Sequence, residues 1–309
     1  MIFMSHIALK LGYIGSNFYG FQRQPNLRTV VGELIYHLEK LNYIDSPKEN
    51  HFRVSGRTDR GVHSLSNVVV FKSNKDFNIN ELNDSLPEDM RALAYSYVKD
   101  DFNPRHANSR WYRYVLFDCE LNMDLLDIAS KKFIGTYDFS NFTNRGVENT
   151  VRTVQDIKVS RANIPNQSPE YNKYSSRILE NISSEDENLL KNGEDFSNSP
   201  IFIDICGENF LWNMVRKIVA VLLDVNYGKR DMDDIDLLLH PEGEKEVIKL
   251  TNPSQLILMD VKYNNIKFSY DEYAIMRFSK TITYNLINYK REYAISKSLL
   301  DSLNNIDSV

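Results

Sequence analysis

The amino-acid sequence predicts an α+β fold in which two similar lobes follow one another along the chain. The 309 residues suffice for two ordinary domains, and a hydrophobic fraction of 42% supplies apolar surface for their cores. Short segments with the alternation of β-strands recur in both halves, with a few segments of helical spacing among them. This mixture is typical of mainly antiparallel sheets covered by packed helices.

The first predicted lobe covers residues 1–105. Its main helix is expected at Thr29–Leu41, where Val31, Leu34 and Leu38 recur at helical spacing. A shorter helix is expected at Ile79–Leu86. The strands of this lobe are predicted at Ser5–Tyr13, His51–Ser55, Asn67–Lys72 and Ala92–Val98.

The second predicted lobe covers residues 106–265. Phe210–Leu223 has the strongest helical pattern of the chain, and a second helix is expected at Leu125–Ile134. The strands are predicted at Arg110–Phe117, Val151–Val159, Ile201–Cys206 and Leu256–Tyr263.

Two further segments lie outside this regular pattern. Residues 162–200 are rich in Asn, Ser and Glu and have little periodicity, which favours a partly mobile surface insertion between two strands. The tyrosine-rich extension 266–309 is expected either to pack on the body or to contact a partner, and the pattern leaves both open.

The charge balance argues at first against a polyanionic partner, since 42 acidic residues face 37 basic ones. The acidic excess, however, lies largely in residues 180–195 and 231–246. Basic residues group elsewhere, so a basic cleft on an acidic body is compatible with the composition. These groups are Arg53, Arg57 and Arg60; Arg105, Arg110 and Arg113; and Arg216 with Lys217.

The cysteines and the N-terminus bear on whether the protein binds a metal and where it is expected to be located. Cys119 and Cys206 each lie in an apolar stretch without a nearby Cys or His, so buried structural thiols are expected rather than a metal site. The N-terminus lacks the pattern of a secretory signal, and no window offers about 20 uncharged apolar residues. A soluble cytoplasmic protein is the expectation.

The segment Gly56-Arg57-Thr58-Asp59-Arg60-Gly61-Val62-His63 holds the most chemistry. It places two glycines, two arginines, a carboxylate and an imidazole between two predicted strands. Taken alone, it is equally well read as a surface turn with an Arg/Asp ion pair. Three other unusual clusters accompany it: the loop Gly15–Gln24, the strand Tyr112-Arg113-Tyr114, and Met214-Val215-Arg216 on the predicted helix.

Taken in order, and with the last cluster extended to Phe210–Arg216, these motifs resemble those of the TruA family of tRNA pseudouridine synthases. The resemblance runs from about Ile7 to Tyr263. It implies isomerisation of uridine at positions 38, 39 and/or 40 of the tRNA anticodon stem-loop, without a metal or an organic cofactor. It also implies a homodimer whose RNA-recognition-like lobes flank a central RNA-binding cleft.

Asp59 is the catalytic residue that this resemblance implies. Whether its carboxylate attacks the ribose C1′, adds to uracil C6 or removes a ribose proton is left open by the sequence. The family's pattern assigns Arg216 as the ion-pair partner that keeps the carboxylate charged in a dry pocket. The alternative for Arg216 is a solvated charge on a helix face.

Three further residues are expected to bind the substrate nucleotide. Arg57 is the candidate for holding the vacated stack or the phosphates while the nucleotide is flipped out. Tyr112 matches the family's substrate-contacting tyrosine, although a half-buried strand tyrosine is the alternative. Leu256 is assigned to the other wall of the uracil pocket, with a core leucine as the alternative, because the preceding segment lacks the family's usual glycine.

The remaining assignments concern RNA contacts and one histidine. Gln22, Arg23 and Gln24 are expected to contact tRNA phosphate and ribose, together with Arg60, which stands where the family commonly has alanine. His63 is expected to be structural, because isomerisation at a carboxylate needs no imidazole.

Two rival functions follow from the same residues. A carboxylate-dependent hydrolase would bring a second acid or a metal cluster to the site, and none accompanies Asp59 in its segment. A non-catalytic two-lobe RNA-binding protein would explain Tyr112 and the arginines, but it gives no reason for a carboxylate that repels phosphate.

Overall fold

Ten strands form one large mixed sheet in the computed structural model, which describes residues 5–117, 120–144, 146–161, 200–243 and 245–304. The sheet order is β10-β4-β1-β3-β9-β5-β8-β7-β6, with β2 paired to β3. Every pairing is antiparallel except that of β3 with β9. The strands are β1 (His6–Tyr13), β2 (Arg53–Val54), β3 (His63–Lys72), β4 (Met90–Val98), β5 (Ser109–Leu116), β6 (Gly135–Asp138), β7 (Val151–Arg161), β8 (Ile201–Gly207), β9 (Leu256–Lys262) and β10 (Ser269–Tyr270).

The described residues also contain six α-helices. Four of them begin after a side chain that caps the free backbone amides of the first turn: Thr29, Asn78, Asn122 and Asp231. The helices are α1 (Val30–Lys40), α2 (Ile79–Ser85), α3 (Met123–Lys131), α4 (Met214–Asn226), α5 (Met232–Leu239) and α6 (Glu272–Asn304).

Helices cover the two halves of the sheet with two main apolar cores, and a smaller third cluster contains residues of β1, β3 and β9 from both halves. In the first half, Leu34 and Leu38 of α1 pack with Leu9 and Leu11 of β1. In the second half, α4 buries residues such as Ile218 in a cluster that includes strand β8. The strands of the first half, β1, β3 and β4, lie together, and β3 joins them to β9 of the second half.

The chain divides into two compact units. The sheet and helices α1 to α5 belong to the first unit, whereas α6 belongs to the second. The helix α6 is a 33-residue element in a region for which the sequence indicated no defined structure. No helix in the described ranges has the length and apolarity needed to cross a membrane.

The structure confirms the predicted strands and helices, with shifts at their ends. The helix expected from Phe210 begins at Met214, because Asn213 has a φ of +68° and cannot continue helical backbone. The helix expected at 125–134 begins at Met123 and ends at Lys131. The sequence did not predict β6, β10 or α5.

Other expectations meet the structure only in part. Cys206 lies on β8 and is half-buried rather than fully buried, and burial raises the pKa of its thiol. Cys119 and residues 162–199 of the expected insertion lie outside the described residues.

Candidate active site

The segment that carries Asp59 rests on a buried hydrogen-bond network. It connects β2 to β3, and the hydroxyl groups of Tyr13 and Thr58 lie 2.8 Å apart beneath it. Asn67 Nδ2 donates to Tyr13 Oη at 3.1 Å, and Ser55 Oγ donates to Asn67 Oδ1 at 2.9 Å. Burial raises the pKa of Tyr13, so its phenol stays protonated and serves the network. The backbone around Asp59 is therefore anchored from below.

The glycine-rich loop 15–24 packs against this segment at two points. A Cβ on Gly15 would lie 2.0 Å from the carbonyl oxygen of Val62, so only glycine fits there. Gly20 has a φ of +90°, and a Cβ on it would lie 3.3 Å from the amide nitrogen of Arg60. The amide of Phe21 donates to the carbonyl of Thr58 at 3.1 Å. The close contact fixes the loop beside Asp59.

Asp59 accepts hydrogen bonds from two side chains near the start of α4. Arg216 Nη1 lies 3.0 Å from Asp59 Oδ2, and Trp212 Nε1 donates to Asp59 Oδ1 at 2.8 Å. The side chains of Asp59 and Arg216 are 25% and 11% exposed. The carboxylate thus meets a guanidinium near the positive end of a helix, and both stabilise its negative charge.

Residues 251–256 hold Arg216 in place. Arg216 Nε donates to the carbonyl of Thr251 at 2.8 Å, and Thr251 Oγ1 donates to the carbonyl of Arg216 at 3.1 Å. The hydroxyl of Tyr114 fixes the same segment by donating to the carbonyl of Asn252 at 3.0 Å. One guanidinium nitrogen is therefore committed to the backbone while another faces Asp59.

An open cleft of about 1100 Å³ surrounds Asp59. This volume slightly exceeds the range of pockets that enclose drug-sized ligands. Of the described residues that line the cleft, seven are arginines and only Asp59 is acidic. The arginines are Arg23, Arg57, Arg60, Arg105, Arg110, Arg152 and Arg216. A basic cleft therefore exists on a chain whose net charge is −5.

Tyr112 and Leu256 lie in the wall of this cleft. Tyr112 is half-buried and makes an edge-to-face contact with Phe210, with ring centroids 5.4 Å apart. Burial raises the pKa of Tyr112 to about 12. Leu256 is 5% exposed and belongs both to the cleft wall and to the second-half core. Both side chains offer apolar surface close to the carboxylate.

The other predicted site residues are exposed along the cleft. Arg57 makes no side-chain hydrogen bond or ion pair with any described residue. The guanidinium of Arg60 stacks on the ring of Tyr19 at 4.3 Å, and Gln24 Nε2 donates to the carbonyl of Tyr19 at 2.8 Å. The exposed cleft residues from the prediction are Gln22, Arg23, Gln24, Arg57 and Arg60.

The sequence patterns assigned no specific role at this site to three of its side chains. Trp212 was part of a motif without an assigned role. Arg110 is 6% exposed, and its guanidinium donates to the carbonyls of Ser55, Arg105 and Glu208. Arg152 lines the cleft from β7, and burial lowers its pKa. Arg110 was detectable because it lies two positions before Tyr112, on the same face of β5.

His63 lies outside the cleft lining and has structural contacts. Its Nδ1 accepts a hydrogen bond from the amide of Gly15 at 3.2 Å. Burial lowers the pKa of His63, although a contact with the Ser254 backbone opposes this shift. The imidazole is therefore neutral near pH 7 and helps to fix the loop.

The described part of the site offers one anionic group held by donors, beside apolar walls and many guanidinium groups. Within that part, no second carboxylate faces Asp59 across the cleft, so the pair of acids used by most glycoside hydrolases is not present there. The arrangement suits a reaction in which a single carboxylate acts on a substrate whose phosphates the arginines neutralise.

Comparisons with known proteins agree with this chemistry. A family model described as tRNA pseudouridine synthase matches residues 129–264. The tRNA pseudouridine synthase A of Methanobrevibacter smithii is 45% identical, covering 99% of this chain and 100% of that protein. The proteins of the same name from Methanothermobacter thermautotrophicus and Methanosphaera stadtmanae are each 37% identical, covering 98% and 88% of this chain and 98% and 89% of their own lengths.

Among solved structures, the crystal structure of a Cbf5-Nop10-Gar1 complex contains a chain that matches 69% of this one, and the match covers 54% of that chain. Its TM-score of 0.30 and identity of 9% are too low to establish the fold. The similarity to the three proteins named tRNA pseudouridine synthase A extends over 88–99% of this chain at 37–45% identity, and it shows that this chain belongs to the TruA family of tRNA pseudouridine synthases.

Proposed function

We propose that this protein isomerises uridine to pseudouridine at positions 38, 39 and/or 40 of the tRNA anticodon stem-loop, with Asp59 as the catalytic residue. The observation that carries the proposal is the placement of Asp59. It is the one carboxylate among the described residues of an arginine-lined cleft, and Arg216 and Trp212 hold it. Family membership supports the reaction, and the sequence resemblance supports the positions.

The reaction requires a carboxylate near the sugar and the base. The N1–C1′ bond of uridine breaks, the uracil turns, and a C5–C1′ bond forms, while C5 loses a proton and N1 gains one. Asp59 acts by attack on C1′, by addition to C6 or by removal of a ribose proton, and its position suits each of these routes. Arg216 stabilises the negative charge of the carboxylate when the base displaces water, because a guanidinium at 3.0 Å replaces the lost hydration.

Tyr112 and Leu256 form the walls that retain the freed uracil. The ring of Tyr112 is already oriented by its edge contact with Phe210, so little side-chain entropy is lost when a base stacks on it. Leu256 lines the cleft from the neighbouring strand β9 and excludes water there.

Base flipping and RNA positioning are assigned to exposed polar residues. Arg57 carries a guanidinium without a described partner, as expected of a group that engages the vacated stack or a phosphate. Arg60 is held on Tyr19 and contacts the RNA backbone. Gln22, Arg23 and Gln24 contact phosphate and ribose from the adjacent loop.

We further propose the arrangement that the resemblance implies. Residues 1–105 and 106–265 act as two similar RNA-recognition-like lobes, with a mobile insertion at 162–200 in the second and a C-terminal extension from 266. The two largest apolar cores, each formed mainly by residues of one range, and the grouping of strands in the sheet support this division. The enzyme works in the cytoplasm as a homodimer.

Mapping of the product tests the reaction and its dependence on Asp59. Unmodified tRNA transcripts are incubated with the purified protein, and pseudouridine is located by carbodiimide treatment and primer extension. We expect stops in the anticodon arm with the wild type and none with Asp59→Asn.

Asp204 provides a matched control for this substitution. It also accepts hydrogen bonds from a tryptophan and an arginine, Trp111 and Arg113, but it does not line the cleft. Asp204→Asn should therefore keep the activity. Absence of product with the wild type would leave the non-catalytic RNA-binding function in its place. Equal product with the wild type and Asp59→Asn would refute Asp59 as the catalytic residue, and product only outside the anticodon arm would refute the assigned positions.

A further inference from the structure

A cluster of potential metal ligands lies apart from the cleft, at the end of the sheet where β1 begins. His6 opens β1, His51 lies two residues before β2, and Asp100 lies two residues after β4. One ligand atom from each residue lies within 4.8 Å of the other two. None of the three lines the cleft around Asp59.

The buried member of this cluster has an unsatisfied nitrogen. His6 is 7% exposed, and its Nε2 atom makes no hydrogen bond. Asp100 Oδ1 lies 2.9 Å from that nitrogen, but the geometry is not that of a hydrogen bond. A buried imidazole nitrogen that makes no hydrogen bond is rare, because its desolvation is costly. A metal ion bound to its lone pair would offset this cost.

The backbone presents the two exposed members to His6. The carbonyl of Asn50 accepts from the amide of Lys72, which lies opposite His6 in the β1–β3 pairing. Arg53 Nη2 donates to the carbonyl of Asp100 at 3.0 Å. His51 itself has a φ of +51°, an uncommon conformation for a residue other than glycine. Three separate segments are thus fixed around one point.

We propose that His6, His51 and Asp100 form a binding site for Zn²⁺. Zinc binds imidazole nitrogen and carboxylate oxygen at about 2.0–2.2 Å, so its ligand atoms lie roughly 3.3 Å apart in tetrahedral geometry. The side chains of His51 and Asp100 are exposed, and because the ligand atoms lie within 4.8 Å of one another, bringing them to this spacing requires a movement of at most about 1.5 Å. A water molecule supplies the fourth ligand.

The ligand atoms select the type of ion. Arg53 and Lys72 bring two positive charges that oppose every divalent ion, and Asp100 is the only carboxylate of the three-ligand set. Mg²⁺ and Ca²⁺ need several oxygen ligands and gain little here. Zn²⁺ gains from the two imidazoles, which prefer transition metals. The bound ion would join β1, the turn before β2 and the turn after β4.

Zinc titration of the full-length, untagged protein tests the site. After treatment with a chelator, the wild type should take up one Zn²⁺ per chain by isothermal calorimetry and take up neither Mg²⁺ nor Ca²⁺. A hundredfold excess of Zn²⁺ over its Kd should raise the melting temperature by about 5 °C. His51→Asn and Asp100→Asn should each weaken zinc binding about tenfold or more.

The variants are chosen to preserve the fold. Both alter exposed side chains, and Asn tolerates the positive φ at position 51. His106→Asn removes an exposed histidine elsewhere and should bind Zn²⁺ as the wild type does. Absence of zinc uptake by the wild type would overturn the proposal. So would unchanged affinity in both His51→Asn and Asp100→Asn, which would place any bound zinc at another site.

Discussion

Replacement of Arg216 by glutamine should lower activity through the charge of Asp59. The substitution keeps a polar side chain at this position of α4 but removes the guanidinium that lies 3.0 Å from the carboxylate. Two unit charges at this separation interact by about 5 kcal/mol at an effective dielectric constant of about 20. Asp59 is 25% exposed, so solvent screening reduces this interaction energy. We expect the substitution to remove about 2–3 kcal/mol of transition-state stabilisation.

A loss of this size corresponds to a fall of roughly 30- to 150-fold in kcat/KM. The assay is the rate of pseudouridine formation in a tRNA transcript under single-turnover conditions, with urea unfolding measured on the same samples. Arg216→Lys should recover part of the rate, because an ammonium group keeps the charge. It cannot donate both to Asp59 and to the carbonyl of Thr251 in the geometry of the guanidinium.

Arg113→Gln is the control for stability. Arg113 pairs with Asp204 at 2.8 Å, and the two side chains are 25% and 15% exposed, which makes the pair comparable in burial. Arg113→Gln should lower the free energy of unfolding about as much as Arg216→Gln does. Its rate of pseudouridine formation should remain within about threefold of the wild-type rate. If folded Arg216→Gln also retains that rate, or if Arg113→Gln is slowed equally, the electrostatic reasoning is refuted.

Three further predictions follow from the site and its supports. Tyr112→Leu should reduce kcat/KM about 10- to 100-fold, whereas the kcat/KM of Tyr112→Phe should stay near that of the wild type, because the ring and not the hydroxyl contacts the base. Equal losses of rate in the two variants would contradict this. Gly20→Ala should lower the free energy of unfolding by about 1–2 kcal/mol in urea, since its φ is +90°, whereas Gly146→Ala, in open space, should change it little. His63 has a lowered pKa in the folded protein, so the unfolded state binds more protons and the free energy of unfolding should fall as the pH drops below about 6.5. In urea titrations at several pH values, His63→Gln should flatten this dependence. An unchanged dependence in the variant would contradict the role of His63.

Periodicity was enough to locate most elements of the sheet and its covering helices. The helix α1 was predictable because apolar residues recur at its buried face and Thr29 caps it. The strand order was not predictable, because the pairing of β3 with β9 joins residues nearly two hundred positions apart and leaves no local pattern. The helix α5 lay in a stretch noted for its acidic charge, although Asp231 and Asp234 form a capping box that signals its start.

The candidate site could be predicted as a set of motifs but not as a geometry. Asp59 and Arg216 were named from the sequence, yet their distance depends on how the two halves of the sheet meet. Trp212 escaped assignment because an exposed tryptophan has no periodic signature, and its role as a donor appears only when α4 is placed beside the segment of Asp59. Side chains that act by pointing across the fold are the ones that sequence patterns reveal least.

The parallel pairing of β3 and β9 has a mechanical consequence for the enzyme. Because the two strands run in the same direction, both begin at the same end of the sheet. The segment of Asp59, which precedes β3, therefore lies beside the segment that precedes β9 and binds Arg216. The pairing joins only His63 with Ile257 and Ser64 with Leu258. A shift of one residue in the register of β3 against β9 would move one segment by about 3.3 Å. This exceeds the 3.0 Å distance between the Asp59 carboxylate and the Arg216 guanidinium. Substitutions that weaken the pairing of β3 with β9 should therefore lower the reaction rate, although they leave every residue of the cleft unchanged.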